Sequence, residues 1–357
     1  MTVFNIRDDF ADISATIEEL ALSGLGFELV IAMSRAGGFT GDAYRTYTDV
    51  AGLTADAELS AAQRVIASAP FQQTLKPDRI HIAMANSTTP ETYAQALDQA
   101  EDAGLNAYFV CCESRADADV LAIATWVSTR RRLYIAQSGD ASWLTAGIPA
   151  GLSALSTNPR VLVVYHPTAT QGAAEAIAGS ASAVDPNRSR IAFTAKVSTV
   201  TAYTLTATEA GFAIDNNALI IVPPSVGAST RYPYSRGAKV QDGEYAYAMI
   251  AKDLWEDRVE TQILQTYLGQ AAKNQDWPFD DGGRSLALAD AVKWTEALMS
   301  SPGKPLWFRR GRVDLPDGYD LDATMDESTF TITVEGDIAI LDGTIKVAAA
   351  VTLTRGA

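Results

Sequence analysis

The feature that most constrains the fold is a regular alternation of strand and helix patterns between residue 27 and about residue 190. The strand patterns are runs of apolar residues without polar alternation, which is typical of parallel strands buried on both faces. They occupy 27–33, 79–85, 106–112, 132–137 and 160–166. This part of the sequence therefore predicts an α/β fold, a mostly parallel sheet with helices on both faces.

The segments between these strands predict helices, the first of them ended by Pro70 and the second with Ser/Thr at its cap. The helix patterns cover 54–70, 87–104, 115–131, 141–155 and 171–184. In the second of them, Pro90 is predicted to lie in the first turn and Gly104 to end the helix.

The regular alternation of strand and helix patterns ends near residue 200, and the different order that follows predicts a second, α+β domain. Residues 206–224 predict a short helix, a turn at 215–217 and a strand closed by two prolines, and 225–243 predict an exposed connection. Two helices are predicted at 243–273 and 284–300. The chain then ends in three predicted strands, FTITVEG, DIAIL and GTIKVAAAVTLTRGA, with turns at Gly336 and at Asp342-Gly343.

The last strand pattern has one apolar face over about ten residues. That face is formed by Ile345, Val347, Ala349, Val351 and Leu353. Because DIAIL is only about half as long, the last strand is predicted to overhang its neighbour, and an exposed apolar strand favours pairing with another copy of the chain. At the other end, the segment containing Val3, Phe4 and Ile6 does not follow the α/β rhythm and is predicted to be an arm. The alternative is that both ends fold back onto their own domain.

Composition narrows the class of protein. The net charge is −15, and no broad basic surface is expected that would favour nucleic acid. Two arginine clusters, 130–132 and Arg309-Arg310-x-Arg312, are predicted to be solvated element ends or, alternatively, contacts with an acidic protein partner. No apolar run is long enough for a membrane span, and the acidic N-terminus does not resemble a signal peptide, so a soluble cytoplasmic product is expected. The adjacent Cys111 and Cys112 are predicted to be small buried residues in a reducing compartment.

The search for catalytic motifs identifies no catalytic, cofactor or metal residues. Neither a phosphate-binding loop nor a dinucleotide-binding glycine pattern follows the first strand. His81 is predicted to be a satisfied sheet residue; His166, at the carboxyl end of a strand, is predicted to be structural. The acidic groups at 276–283 and 320–328 lack the calcium-loop pattern. An alternative function, a soluble α/β enzyme or small-molecule binder with a site near His166, remains open.

Short motifs, two in the second half of the chain and one in the α/β part, resemble those of bacteriophage contractile-tail sheath proteins, in particular the small myophage sheath family. They are the turn between Leu205 and Asn217, the Asp242-Gly243 step before a long helix with Asp253-Leu254-Trp255, and the Arg160 to Pro167 close of a strand. Residues 187–190 depart from the glycine-rich turn of that family. A different phage structural protein, such as a tube or baseplate component, is the third alternative, although a tube protein is typically smaller and mostly β.

The resemblance implies a non-enzymatic structural subunit with four parts: an N-terminal arm, 1–22; an outer α/β domain, 23–198; an inner, tube-facing domain, 199–342; and a C-terminal β-arm, 343–357. Such subunits stack as hexameric rings around a tail tube and exchange strands through their arms. The implied partners are other copies of the chain, the tube protein, and baseplate and terminator proteins, without cofactor, nucleic acid or membrane insertion. Arg309, Arg310 and Arg312 are the predicted tube contacts, and the implied location is the virion tail, after assembly in the host cytoplasm.

Overall fold

The computed structural model describes residues 26–186, 191, 193, 196–223, 234–254, 256–258, 310–314, 329–340 and 343–354. The chain divides into two compact units. One consists of residues 26–186 and 191–249, and the other includes residues from 250 to the C-terminus. The arm predicted at 1–22, the helix predicted at 284–300 and the acidic groups at 276–283 and 320–328 lie outside the described residues, as does most of the helix predicted at 243–273.

An eight-stranded mixed sheet forms the centre of the first unit, in the order β2-β3-β1-β4-β5-β6-β7-β8. The six central strands, β3, β1, β4, β5, β6 and β7, run parallel to one another. The strands at the two edges, β2 and β8, are antiparallel to their neighbours. The bounds are β1 Leu29–Arg35, β2 Tyr44–Tyr47, β3 Ile80–Asn86, β4 Phe109–Cys112, β5 Leu133–Ser138, β6 Val161–Tyr165, β7 Ala218–Val222 and β8 Tyr234–Arg236. The α/β prediction is confirmed, whereas the two short edge strands were not predicted.

Six α-helices lie wholly within the described residues of this unit, and a further helical stretch begins at residue 246. The six are α1 Val50–Ala55, α2 Ala61–Ser68, α3 Tyr93–Asp102, α4 Asp117–Ser128, α5 Ala173–Ser182 and α6 Ala207–Asp215. The amphipathic helix predicted within 54–70 is present as α2, but it is shorter than that stretch. It begins after Ser60, whose hydroxyl accepts from the Gln63 amide at 3.2 Å and whose own amide donates to the Gln63 side chain at 3.0 Å.

Two further helix predictions are corrected by local backbone chemistry. Thr92 caps α3 through the same reciprocal arrangement with Gln95, so Pro90 precedes the helix instead of lying in its first turn. The helix predicted at 141–155 is two 3₁₀ segments, Ala141–Leu144 and Ala150–Thr157. Gly147, with φ of 95°, and Pro149, which has no amide hydrogen, lie between these segments and prevent a continuous helix.

The first unit continues beyond the predicted domain boundary at 198/199. After α6 the chain turns at Asn217, whose φ is 59°, as the predicted turn requires. β7 then pairs in parallel with β6, and β8 pairs with β7. The helix and strand that the sequence assigned to the second domain therefore extend the first sheet.

The second unit contains a three-stranded antiparallel sheet in the order β11-β10-β9. Its strands are β9 Arg310–Asp314, β10 Thr329–Ile340 and β11 Gly343–Thr354. The predicted turn at Gly336 is wrong, because β10 runs through Gly336, which lies opposite Gly311 and Val347. The predicted overhang is also wrong: all 12 residues of β11 have partners in β10.

β1 lies between β3 and β4, and the chain runs from β1 towards one edge of the sheet first and later towards the other. In open α/β sheets, the carboxyl ends of the strands at such a reversal commonly bind ligands. Here protein side chains occupy this position. The Glu113 carboxylate accepts from the Ser34 amide at 2.5 Å and from the Gln63 side chain at 3.2 Å. Gln63 also donates to the Ser34 carbonyl at 2.9 Å, so β1, β4 and α2 are joined by one polar network.

A buried ion pair lies beside this network. Arg115 donates to both carboxylate oxygens of Glu175, each at 3.0 Å, and also to the Cys112 carbonyl. The Glu175 side chain is fully buried and that of Arg115 is 11% exposed. The pair joins the end of β4 to the first turn of α5.

Arg115→Met is expected to lower the free energy of unfolding by about 3–5 kcal/mol, because it leaves the Glu175 carboxylate buried without its counter-charge. Urea denaturation measures the loss. The matched control is the double variant Arg115→Met/Glu175→Leu, which removes both charges and is expected to lose less. A double variant no more stable than Arg115→Met would contradict the role of the ion pair.

Glu113→Gln is expected to stabilise the protein at neutral pH. Burial raises the pKa of Glu113, so the folded state binds a proton that the unfolded state has already released. Stability from this group is therefore full below its unfolded pKa and falls as the pH rises through its folded pKa. Melting temperatures from pH 4 to pH 8 should show the variant above the wild type at the upper end and converging with it at the lower end. A gap that widens on acidification would contradict this account.

Candidate functional site

The three-stranded sheet contains most of the described residues that the sequence singles out for assembly. Arg310 and Arg312 lie on β9, at one edge, and the predicted strand-exchange residues lie on β11, at the other. These exchange residues are Ile345, Val347, Ala349, Val351 and Leu353. Val3, Phe4, Ile6 and Arg309 lie outside the described residues.

The register gives this sheet two chemically different faces. Residues directly opposite one another in an antiparallel ladder share a face, and alternate residues of a strand do so too. One face therefore carries Val313, Phe330, Ile332, Val334, Ile338, Ile340, Ile345, Val347, Ala349, Val351 and Leu353, together with three glycines. The other carries Arg310, Arg312, Asp314, Glu335, Asp337 and Lys346 among threonines and alanines. The predicted alternation of β11 thus belongs to a whole apolar face.

β11 is an edge strand in the part of the chain that the structure describes, since it pairs with β10 on one side only. Its 12 residues correspond to a ladder about 40 Å long. Lys346 is the one charged residue in β11. A single charge in a long apolar edge strand limits indiscriminate pairing but leaves the backbone groups able to accept another strand.

The arginines of β9 have acidic residues opposite them on β10. Arg310 lies opposite Asp337 and Arg312 opposite Glu335. These pairs cannot be identified from the sequence without the register, although the alternation through FTITVEGDIAI places both acidic residues on the polar face.

Arginines of the cluster at 130–132 form ion pairs with acidic residues of the first unit. Arg130 pairs with Asp98 at 2.8 Å and with Glu101 at 2.9 Å, and Arg132 pairs with Glu101 at 2.8 Å. Although burial by itself would raise it, the pKa of Glu101 is lowered by these two guanidinium groups. The Arg130 guanidinium also lies 4.3 Å from the centre of the Trp126 ring. These contacts join α3, α4 and the start of β5, which is a structural role.

His166 has its ring nitrogens directed at backbone groups. Nε2 lies 3.0 Å from the Thr201 carbonyl oxygen and Nδ1 3.2 Å from backbone atoms of Thr168, and the residue is only 2% exposed. The structural prediction for this histidine is confirmed. The ring is therefore buried among backbone groups.

His81 and the two cysteines are also structural, as predicted. His81 lies 2.6 Å from a Glu28 carboxylate oxygen and 2.9 Å from the Thr46 hydroxyl, and burial lowers its pKa against the opposing effect of Glu28. Cys111 and Cys112 are buried in β4, and burial raises the pKa of both thiols.

A search of the described segments for three or more His, Cys, Asp or Glu side chains grouped to hold a metal ion finds none. Within the same part of the chain, no helix combines the length and apolarity needed to cross a membrane.

Comparison of the sequence with protein-family models and with curated proteins finds no match. Comparison of the fold with solved structures does. A chain of the anti-feeding prophage baseplate, seen by cryo-electron microscopy, aligns with a TM-score of 0.60 and 12% identity over 90% of this chain and 92% of its own. The anti-feeding prophage helical sheath in its contracted state aligns with a TM-score of 0.59 and 12% identity, covering 89% and 90%.

A sheath tail protein from Listeria innocua, known from a crystal structure, aligns with a TM-score of 0.57 and 10% identity, covering 94% of this chain and 98% of its own. Identities this low establish shared architecture only. The three matches nevertheless each cover about nine-tenths of both chains. The protein therefore has the fold of contractile-tail sheath proteins.

Proposed function

We propose that this chain is a structural, non-enzymatic subunit of a contractile phage-type tail sheath. The observation that carries the proposal is the end-to-end structural similarity to a sheath tail protein and to a contracted helical sheath. In this role the subunits stack as hexameric rings around a tail tube. Contraction of the stack drives the tube through the host envelope. The proposed location is the virion tail, after assembly in the host cytoplasm.

The proposed partners follow from the same role. They are other copies of the chain, the tail tube protein, and baseplate and terminator proteins. The α/β part is proposed to form the outer domain and the later part of the chain the tube-facing domain. Arg309, Arg310 and Arg312 remain proposed tube contacts, although Asp337 and Glu335 give two of them opposite charges within the sheet.

The proposed connection between subunits is strand addition at β11. The strand is already paired with β10 along its whole length, so it serves as a template and not as a loose arm. Its second edge carries unpaired backbone donors and acceptors among the described strands, and its apolar face can be extended by an added strand. The segment that includes Val3, Phe4 and Ile6 is the proposed source of that strand in a neighbouring copy.

A baseplate ring component is the second candidate function, because one of the matching structures is a baseplate. The two candidates differ in stacking: a sheath subunit forms long polymers, whereas a baseplate component forms a single ring. An enzyme site at His166 is not favoured, since both ring nitrogens are engaged by the backbone.

Electron microscopy of the concentrated, purified protein is expected to show tubes or stacked rings. Self-pairing of subunits is favoured at high concentration because association depends on subunit concentration. Single unstacked rings would favour the baseplate candidate. A strict monomer at every concentration, without association with tail particles, would contradict both candidates.

Proline substitutions at neighbouring positions of β11 test its free edge. The amide hydrogens of successive strand residues point to opposite sides, so of Ala348→Pro and Ala349→Pro one removes a bond to β10 and the other only blocks the outer edge. The first is expected to lower the melting temperature. The second should keep nearly the wild-type melting temperature but lose polymerisation.

Thermal melting identifies which variant is which, and sedimentation and electron microscopy measure assembly. Normal polymerisation by the variant that melts like the wild type would contradict strand addition at β11.

A further inference from the structure

One side chain, Gln63, connects the start of α2 to the central sheet. Its oxygen accepts from the Ser60 amide at 3.0 Å, and the Ser60 hydroxyl accepts from the Gln63 amide at 3.2 Å, which together cap the helix. The nitrogen of the same side chain donates to the Ser34 carbonyl at 2.9 Å and to the Glu113 carboxylate at 3.2 Å. The cap of α2 is therefore linked directly to Glu113, which follows β4.

The Glu113 side chain accepts two hydrogen bonds at the same oxygen. This atom, Oε1, receives the Ser34 amide hydrogen at 2.5 Å and a Gln63 side-chain hydrogen at 3.2 Å. A protonated carboxyl group can accept both bonds at one oxygen while it carries its proton on the other. The arrangement is thus compatible with a neutral Glu113.

The charged groups around Glu113 favour its neutral form. Arg115 donates to both carboxylate oxygens of Glu175, which is fully buried, and among the described residues no positively charged side chain donates to Glu113. An ionised Glu113 therefore places a second negative charge beside an ion pair that is already neutral. A further carboxylate, Asp119 on α4, accepts from the Ser114 hydroxyl at 2.5 Å and supplies no positive charge either.

Two further titratable neighbours are neutral. Burial raises the pKa of Tyr93, at the start of α3, and of Cys112, at the end of β4. Both side chains therefore keep their protons at neutral pH and offer Glu113 no counter-charge. Glu113 itself is only partly buried, so rotation of its flexible side chain can bring an ionised carboxylate into water.

We propose that Glu113 is a proton-operated latch on the start of α2. In its protonated form the side chain stays in place and accepts from Ser34 and Gln63. In its ionised form it turns towards water and leaves both donors without that acceptor. Gln63 then holds the helix cap less firmly, and the first turn of α2 opens more often. The latch lies within the first unit and does not depend on the proposed function.

The direction of the pH dependence follows from the surroundings of Glu113. Because burial raises the pKa of this group, the latch takes up a proton on closing between the ordinary glutamate pKa and the raised one. The closed state is fully favoured below that interval. Within it, opening becomes up to about tenfold more frequent for each pH unit, and above it opening levels off.

Amide hydrogen exchange in the full-length protein tests the latch. Between pH 5 and pH 8, after correction for the intrinsic exchange rate, wild-type amides at 63–66 should exchange faster as the pH rises. In Glu113→Gln the side chain keeps an acceptor oxygen and needs no proton, so the same amides should stay protected at every pH. In Glu113→Ala the acceptor is removed, and they should exchange rapidly at every pH.

Glu58→Gln is the matched control, since Glu58 also lies close to α2 in the sequence. Its carboxylate accepts from the Thr40 hydroxyl at 2.6 Å and pairs with Arg45 at 2.8 Å, so it has other partners than Gln63. This variant should keep the pH dependence of the wild type. Melting temperatures show whether each variant is folded.

Three results would overturn the latch. The first is wild-type exchange in α2 that does not change with pH after correction. The second is a Glu113→Gln variant that keeps the wild-type pH dependence. The third is an equal pH response in α2 and in the buried strand β5, because the whole unit would then open and not the start of the helix alone.

Discussion

The architecture of the first unit depends on the burial of parallel strands on both faces. β1, β4, β5 and β6 are apolar along nearly their whole length because helices or 3₁₀ segments cover each side of the sheet. Such strands leave little room for polar side chains. The Arg115–Glu175 ion pair and the Glu113–Gln63 contacts occupy the strand ends where an enzyme of this class would bind its ligand. The same packing that stabilises the sheet therefore fills its usual ligand position.

Much of this fold can be predicted from the sequence, because continuous apolar runs and capping residues are local signals. The strands from β1 to β7 other than the short β2 are examples. The Arg115–Glu175 pair is not predictable in that way, since its members are 60 residues apart and nothing in either neighbourhood indicates the other. The start of α2 is likewise not evident from the apolar period of 54–70, because it is set by the hydrogen bonds between Ser60 and Gln63.

The candidate site shows a different limit of sequence analysis. The apolar parity of β11 was evident, and so was that of residues 330–340, where Phe330, Ile332, Val334, Ile338 and Ile340 keep one phase through Gly336. Reading the glycine as a turn divided one strand into two and produced the false overhang. A glycine inside a strand weakens it only modestly, and phase continuity was the stronger signal. The opposite charges on β9 and β10 could be found only after the register was known.

The complete pairing of β10 with β11 has a mechanical consequence. The hydrogen bonds of an antiparallel ladder lie perpendicular to its strands. Tension applied along β11 therefore loads the bonds of the ladder in shear, so that many must break together, whereas tension at one end across the ladder would open them one at a time. If subunits are joined at this edge, a force along the strands would load many hydrogen bonds at once and meet high resistance. A force across the ladder at one end would break the bonds one after another and meet low resistance.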